Sequence, residues 1–276
     1  MITSKNNKVS LSIIIPAYNE EERLPSTLDT ILEWSNNTSL FNVEFIIVND
    51  GSSDRTSEIV CRYIKKDARI RLIEETHVGF MNAIISGFKQ ARYPYVSNMD
   101  ADCAVHPREF ENLFRYLDNN TIVMGSRILR GNLPPIKGKS IFRRIISWGL
   151  ALIFYLFFKC KVYDPQIGFK MYHRDSILHI LSKLSMEHDG IKSAEIIVKA
   201  YGLGLSIKEI PVIYQHDENS RCVPKGIKSI KVVWEALCAL FRLWVHSYQE
   251  YQKGNLIRLP IRGVALIELF LLKIKS

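Results

Sequence analysis

The sequence predicts an α/β fold: a mostly parallel sheet with helices on both faces. Two observations carry this. Apolar, β-branched runs alternate several times with segments of helical spacing, beginning at Val9, and that alternation favours right-handed crossovers between parallel strands. Three of the runs end in loops carrying Asp50, Asp100 with Asp102, and Arg127. Open α/β sheets place their ligands at the carboxyl ends of strands.

The elements follow in order. Val9 to Pro16 reads as a buried strand with three consecutive Ile and a Pro stop. Ala17-Tyr18-Asn19-Glu20 is a loop. Glu21 to Trp34 has helical spacing, with acids in its first turn where the helix dipole favours them. Val43 to Val48 is the next strand, closed by Asn49-Asp50-Gly51-Ser52-Ser53-Asp54. There Gly51 permits a tight turn, and Ser53 or Asp54 can cap a helix over 55–66. A turn with a cap leaves Asp50 unexplained; a carboxylate at a strand end can accept from a nucleobase N–H. Ile70 to Ile73 is a short strand. Gly79 to Gln90 is a helix with Gly79, Ala83 and Gly87 on one face, open to close approach by a ligand or by the sheet. Tyr95 to Asn98 is a strand, 107–117 a helix, and Thr121 to Met124 a strand ending in Gly125-Ser126-Arg127.

Asp100 and Asp102 flank the small Ala101, so an extended chain sends both carboxylates to one side. Mg²⁺ or Mn²⁺ takes one or two such carboxylates plus substrate phosphates, so the pair is expected to hold a metal on a diphosphate. No glycine fingerprint follows the first strand and no Walker sequence occurs, which argues against dinucleotide oxidoreductases and P-loop NTPases. Five cysteines lack metal-ligand spacing and suit a reducing compartment. His77, His106, His173 and His188 also lack it and read as incidental. The polar first eight residues and the short apolar run after them do not make a signal peptide. Asn36-Asn37-Thr38 and Asn119-Asn120-Thr121 then read as ordinary loops rather than glycosylation acceptors.

The net charge of +9 is unevenly spread. Residues 127–170 hold nine Lys and Arg against one acid, and residues 221–276 ten against three. These are also the most apolar stretches, which points to a membrane surface rather than nucleic acid.

Ile-Pro-Ala-Tyr-Asn-Glu (15–20), Val-Asn-Asp-Gly-Ser-Ser-Asp (48–54), Asp-Ala-Asp (100–102) and Gly-Ser-Arg (125–127) together resemble the family 2 glycosyltransferases with the GT-A (Rossmann-like) fold, over roughly residues 9–221. The resemblance implies that Pro16, Ala17, Tyr18, Glu20, Asp50, Gly79 and Ala101 line a nucleoside-diphosphate sugar. It implies that Asp100 and Asp102 hold ribose and metal. The family usually has Asp where Asn49 stands.

Asp164-Pro165-Gln166-Ile167-Gly168-Phe169-Lys170, Glu209-Ile210-Pro211 and Ser220-Arg221 resemble the polyprenyl-phosphate branch, the dolichyl-phosphate mannose synthases and more closely the dolichyl-phosphate β-glucosyltransferases. The branch implies an inverting transfer of a hexose, from UDP-glucose or GDP-mannose, to a polyprenyl phosphate. Arg127 and Arg221 are the expected catalytic cations. Arg143, Arg144, Gln166, Lys170 and Arg221 are the expected lipid-phosphate ligands, since guanidinium forks suit phosphate. The mannose synthases often place a metal-holding Gln where Ala104 stands, so fewer protein ligands are expected here.

Residues 1–226 are expected to form the catalytic domain, with a membrane-interface helix inserted at about 141–160, and 227–276 an amphipathic helical region. Ile145 to Phe158 is an uncharged apolar stretch of roughly 21 Å as a helix, short of the length that spans a bilayer. Its choices are a core helix or an in-plane membrane helix; flanking Arg143, Arg144, Lys159 and Lys161 with Trp148 favour the membrane. Lys228 to Tyr251 repeats apolar residues at helical spacing and suits either the sheet or a membrane. The tail, with Glu268 in its middle, is too short to span. A peripheral protein on the cytoplasmic face of a membrane is expected, of undetermined oligomeric state.

An acceptor phosphate is already anionic and needs no base; Glu195 and Asp189 are the candidates if one is used. A hydroxyl acceptor on a glycan is the first alternative, and it would make one of them essential. A non-enzymatic nucleotide-sugar binder is the second, and the intact Asp50, Asp100 and Asp102 count against it.

Overall fold

The computed structural model describes residues 8–129, 149, 152–187, 189–215 and 227–267, with side chains from 234 onward in the last stretch. Its centre is a seven-stranded sheet. In chain order the elements are β1 (Val9–Ala17), α1 (Leu24–Asn37), β2 (Phe41–Asp50), α2 (Thr56–Ile64), β3 (Ile70–Glu75), α3 (Phe80–Gln90), β4 (Tyr95–Asn98), α4 (Glu109–Phe114), β5 (Thr121–Ser126), β6 (Lys170–His173), α5 (Arg174–Leu181), α6 (Asp189–Gly202), β7 (Ser206–Pro211) and α7 (Ile227–Gln252).

The strand order is β3-β2-β1-β4-β6-β5-β7. All neighbours are parallel except β6, which runs antiparallel to both β4 and β5. This is the mostly parallel sheet that the alternation predicts. Alternation along β1 sends Leu11, Ile13 and Ile15 to one face and Ile14 to the other. Burying both faces is what makes the run continuously apolar. Under the first face lie α1, α2, α4 and α7; against the second lie α3 and α5, while α6 contributes to both layers. Gly87 answers the question left by the small-residue face of α3. A Cβ there would overlap the Ile14 side chain, so Gly87 serves close packing on the sheet.

Residues 152–157 are helical. Phe154 and Phe158 are buried in the core, while Leu152 and Leu156 are exposed. The chain then meets the segment after α7: Phe158 pairs with Ile261, and Trp244 Nε1 donates to the Arg262 carbonyl. On α7, Leu240, Leu243 and Trp244 join the core, and Trp234 faces outward. So α7 packs its apolar face on the domain. Among the described residues no helix is long and apolar enough to cross a membrane.

Candidate active site

The loops after β1 and β2 are fastened to each other. Asn19 N–H donates to Ser52 Oγ at 2.9 Å, and Ser53 N–H returns a bond to Asn19 Oδ1 at 2.8 Å. Glu20 N–H donates to Thr56 Oγ1, and Glu21 N–H to Asp54 Oδ2. Asp54 also accepts the N–H of Thr56, the first residue of α2. The two motifs read as ligand-lining thus spend most of their polar groups on each other, which sets the carboxyl ends of β1 and β2 in one rigid rim. Pro16 and Ala17 are buried beneath it. Tyr18 is left out at 43% exposure. Glu20 holds the Arg23 guanidinium in a short ion pair.

Asp50 is 4% exposed. Its Oδ1 accepts Val78 N–H at 2.6 Å and its Oδ2 accepts Gly79 N–H at 3.1 Å. Gly79 has φ +98°, and a Cβ there would press on the Asp189 carboxylate, so both the turn and the close approach require glycine. Asp189 in turn accepts the N–H groups of Met81 and Asn82 at the start of α3, where a negative charge suits the helix dipole.

At the end of β4, Asp100 and Asp102 are both half-buried. Gly168 packs directly on the Asp100 carboxylate; no side chain fits there. Asn98 Nδ2 reinforces this contact by donating to the Gly168 carbonyl at 2.9 Å. Burial, with Asp102 adding repulsion, pushes Asp100 up to about 6, although Arg127 and Lys170 pull the other way. Two carboxylates that repel in a partly desolvated place fit a hard divalent cation. Among the described residues no group of three or more His, Cys, Asp or Glu converges, so the rest of a coordination shell falls to water and phosphate oxygens.

Around this pair lies a network of buried charge. Arg127 makes a bidentate pair with Asp164, with both N–H···O distances 2.7 Å. Burial opposes its charge, but Asp164 outweighs burial and holds the guanidinium above its ordinary range. Asp164 is held well below the usual carboxylate range, since Arg127 overcomes the burial that would raise it. Glu209 accepts the N–H groups of Tyr163 and Asp164 from below. The Tyr214 ring lies 5.5 Å from the Arg127 guanidinium. Lys170 is 3% exposed and donates to the Ile167 carbonyl and Ser193 Oγ. Burial pushes its ammonium down to about 8, opposed by Asp164 and Asp100.

The structure therefore brings Asp100, Asp102, Arg127 and Lys170 to one place, with Tyr18, Glu20, Asp50 and Gly79 on the rim. Gln166 is exposed, its Nε2 directed at the Gly190 carbonyl. Glu195 is fully buried and spent on Ser185 and Met186. Arg143, Arg144 and Arg221 lie outside the described residues. Asp164, Glu209 and Tyr214 join the site through contacts that sequence spacing does not reveal.

Comparison with known proteins decides the family. Residues 12–181 match the profile of Glycosyl transferase family 2. The chain belongs to glycosyl transferase family 2. It is a glycosyltransferase on the GT-A fold. It is similar to the dolichyl-phosphate beta-glucosyltransferase of Trichomonas vaginalis, 32% identical over 79% of this chain and 70% of the relative. The enzyme of that name from Dictyostelium discoideum is 31% identical over 81% and 72% of the two chains, and that of Homo sapiens 29% over 78% and 70%. Among solved structures the fold matches glucosyl-3-phosphoglycerate synthase from Mycobacterium tuberculosis in complex with UDP. The TM-score is 0.61 with 16% identity, over 86% of this chain and 80% of that one.

Proposed function

We propose that this glycosyltransferase moves glucose, with inversion, from UDP-glucose to a dolichyl-type polyprenyl phosphate at a membrane surface. The observation that carries the reading is the seating of Gly168 on Asp100. It joins the donor motif at the end of β4 to the Asp164–Lys170 motif in one site. The similarity to dolichyl-phosphate beta-glucosyltransferases supports the same acceptor and the same sugar.

Asp100 and Asp102 would hold a divalent cation, Mg²⁺ or Mn²⁺. When bound, it supplies Lewis-acid neutralisation of the departing diphosphate. The fold's match to the Mycobacterium tuberculosis synthase crystallised with Mn²⁺ and UDP supports this fit. Arg127, oriented by Asp164, keeps one positive charge beside Asp100. Lys170 supplies a second from beneath the site and acts through its charge rather than by touching the acceptor. Arg143, Arg144 and Arg221 are the proposed contacts of the lipid phosphate, with Gln166 at its edge. The acceptor oxygen attacks the anomeric carbon from the face opposite the leaving diphosphate. It is anionic at neutral pH, so the reaction needs neither Asp189, which caps α3, nor Glu195, which is engaged elsewhere.

The exposed Leu152, Leu156, Ile257 and Leu266 flank Lys159, Lys161, Arg258 and Arg262 in sequence. They support a seat on anionic lipid. The free cysteines Cys61, Cys103, Cys160 and Cys238 suit the cytoplasmic face.

A transfer assay tests the reading. Labelled UDP-glucose and GDP-mannose are supplied in parallel with a short polyprenyl phosphate and Mn²⁺. Label from UDP-glucose in the organic phase, dependent on metal and absent from Asp102→Asn, is expected. Nucleotide-sugar binding without lipid product would overturn the acceptor assignment.

A further inference from the structure

Arg127 stands beside a pair of carboxylates without joining them. Its guanidinium makes two bonds, both 2.7 Å, to Asp164. Among the described residues it makes no ion pair with Asp100 or Asp102, although its charge pulls on Asp100. A guanidinium fork fits a carboxylate at two points, so an arginine beside two repelling carboxylates is drawn onto them. That collapse would neutralise the pair and compete with a divalent cation for its oxygens.

Asp164 holds one edge of the guanidinium. Tyr214 covers its face, with the ring centroid 5.5 Å from Arg127 Cζ. The backbone that carries this ring is fixed by the carboxylate loop itself. Tyr214 pairs with Val105 in an antiparallel bridge, and Gln215 N–H donates to the Ala104 carbonyl at 2.8 Å. Ala104 N–H in turn donates to Asp102 Oδ1 at 3.0 Å. The other end of the loop is fastened by Thr27 Oγ1, which donates to the Ala101 carbonyl at 2.6 Å. The loop that bears the carboxylates therefore also seats the ring that restrains the arginine. Burial pushes the Tyr214 phenol up to about 12, so the ring stays neutral and its face attracts a cation.

We propose that Tyr214 is a positioning residue that keeps the Arg127 guanidinium off the Asp100–Asp102 pair, so that the pair stays open to the divalent cation. Asp164 fixes the edge of the guanidinium and Tyr214 its face. The assignment rests on the metal reading above.

The test separates restraint of Arg127 from support of the loop. Mn²⁺ binding, with and without UDP, is measured by the electron paramagnetic resonance of free Mn²⁺ for wild type, Tyr214→Phe, Tyr214→Leu and Tyr214→Ala. Tyr214→Phe, which keeps the ring face, is expected to hold Mn²⁺ within about twofold of wild type. Tyr214→Leu and Tyr214→Ala are expected to weaken it by about 3- to 30-fold, the range of losing one cation–π contact. With Arg127→Gln already in place, Tyr214→Ala should change nothing, because no guanidinium remains to swing. An equal loss in that background would make Tyr214 a loop strut and overturn the proposal. So would a loss in Tyr214→Phe as large as in Tyr214→Ala, or unchanged binding in Tyr214→Ala. Wild-type protein that binds no Mn²⁺, with or without UDP, would overturn the metal reading itself and this proposal with it.

Discussion

The two ends of the site are built by different means. At the rim after β1 and β2, the chain is fixed by hydrogen bonds between side chains and backbone N–H groups, such as Asn19 with Ser53 and Asp50 with Val78. At the floor after β4 and β5, it is fixed by buried charges, Arg127 on Asp164 and Lys170 near Asp100. The rim is electrostatically satisfied, and its shape is its function. The floor retains one conflict, the Asp100–Asp102 repulsion. That difference fits the proposed division of labour, with shape recognition at the rim and charge neutralisation at the floor.

The largest effect is expected where that conflict is used. Asp102→Asn removes half of the proposed divalent site, and metal stabilisation of a leaving phosphate is worth several kcal/mol. Transfer should fall by about 10²–10³-fold at one tenfold step per 1.36 kcal/mol, while circular dichroism stays unchanged. A loss under tenfold would place the charge neutralisation elsewhere.

Breaking the charge pair at the floor should cost stability. Asp164→Asn leaves the Arg127 guanidinium, only 22% exposed, without its counter-charge. Removing one partner of a buried pair costs about 3–5 kcal/mol, read as a lower urea midpoint. Because the folded pKa of Asp164 is depressed, its contribution is present above the unfolded carboxylate value. It is lost as pH falls through the folded one. The wild-type advantage over Asp164→Asn should therefore shrink only in strong acid.

Asp100 has the opposite sign. Its folded pKa of about 6 lies above the unfolded value of 3.8, so the folded chain binds that proton more tightly. Without metal, stability from this group is lost as pH rises from about 4 to about 6. The shift corresponds to about 3 kcal/mol before solvent screening, which lowers it for a half-buried group. Asp100→Asn should raise the metal-free melting temperature at pH 7.5 by a few degrees, roughly 2–4 °C per kcal/mol for a chain of this size. Mn²⁺ should stabilise wild type but not the variant. A lower metal-free melting temperature would show that Asp100 is not strained at the floor.

The division between rim and floor also explains what was legible in the sequence. β1, β2 and β5 announce themselves through apolar runs, because burial on both faces leaves no polar alternation, whereas β4, Tyr95–Asn98, shows only an aromatic and β-branched start after a turn. β6 does not: it is four residues long, Lys170–His173, and its partners β4 and β5 are distant in sequence. The Asp100–Ala101–Asp102 pair is legible because its chemistry is local. Arg127 with Asp164 is not, since the partners are 37 residues apart. Asp189 and Glu195 stand out as acids on a helix, yet their oxygens meet backbone N–H groups that spacing cannot show. His77 has no ligand spacing because its partners, Tyr18 and Asp50, come from two other loops.

The smallest effect expected belongs to the rim and tests whether it is satisfied by neutral groups. Asn49 stands where related enzymes usually have Asp. Its Nδ2 donates to Glu74 Oε2 at 2.6 Å, and its Oδ1 accepts Ser52 N–H at 3.1 Å. Ser57 Oγ also donates to the Glu74 carboxylate. A carboxylate in place of this amide would keep the bond from Ser52 but lose the donor, setting two negative charges against each other. The amide and Glu74 are therefore a matched pair, and Asn49→Asp should cost about 1–2 kcal/mol, the loss of one hydrogen bond to a charged group. Adding Glu74→Gln restores a donor opposite the new carboxylate, so the double variant should recover most of that loss, with a coupling of about 1 kcal/mol in the double-mutant cycle. Additive effects would mean that Glu74 turns to solvent when Asn49 is changed. In that case the rim would owe its rigidity to its other bonds, those of Asn19, Ser52 and Ser53 with those of Thr56, Asp54 and Asp50.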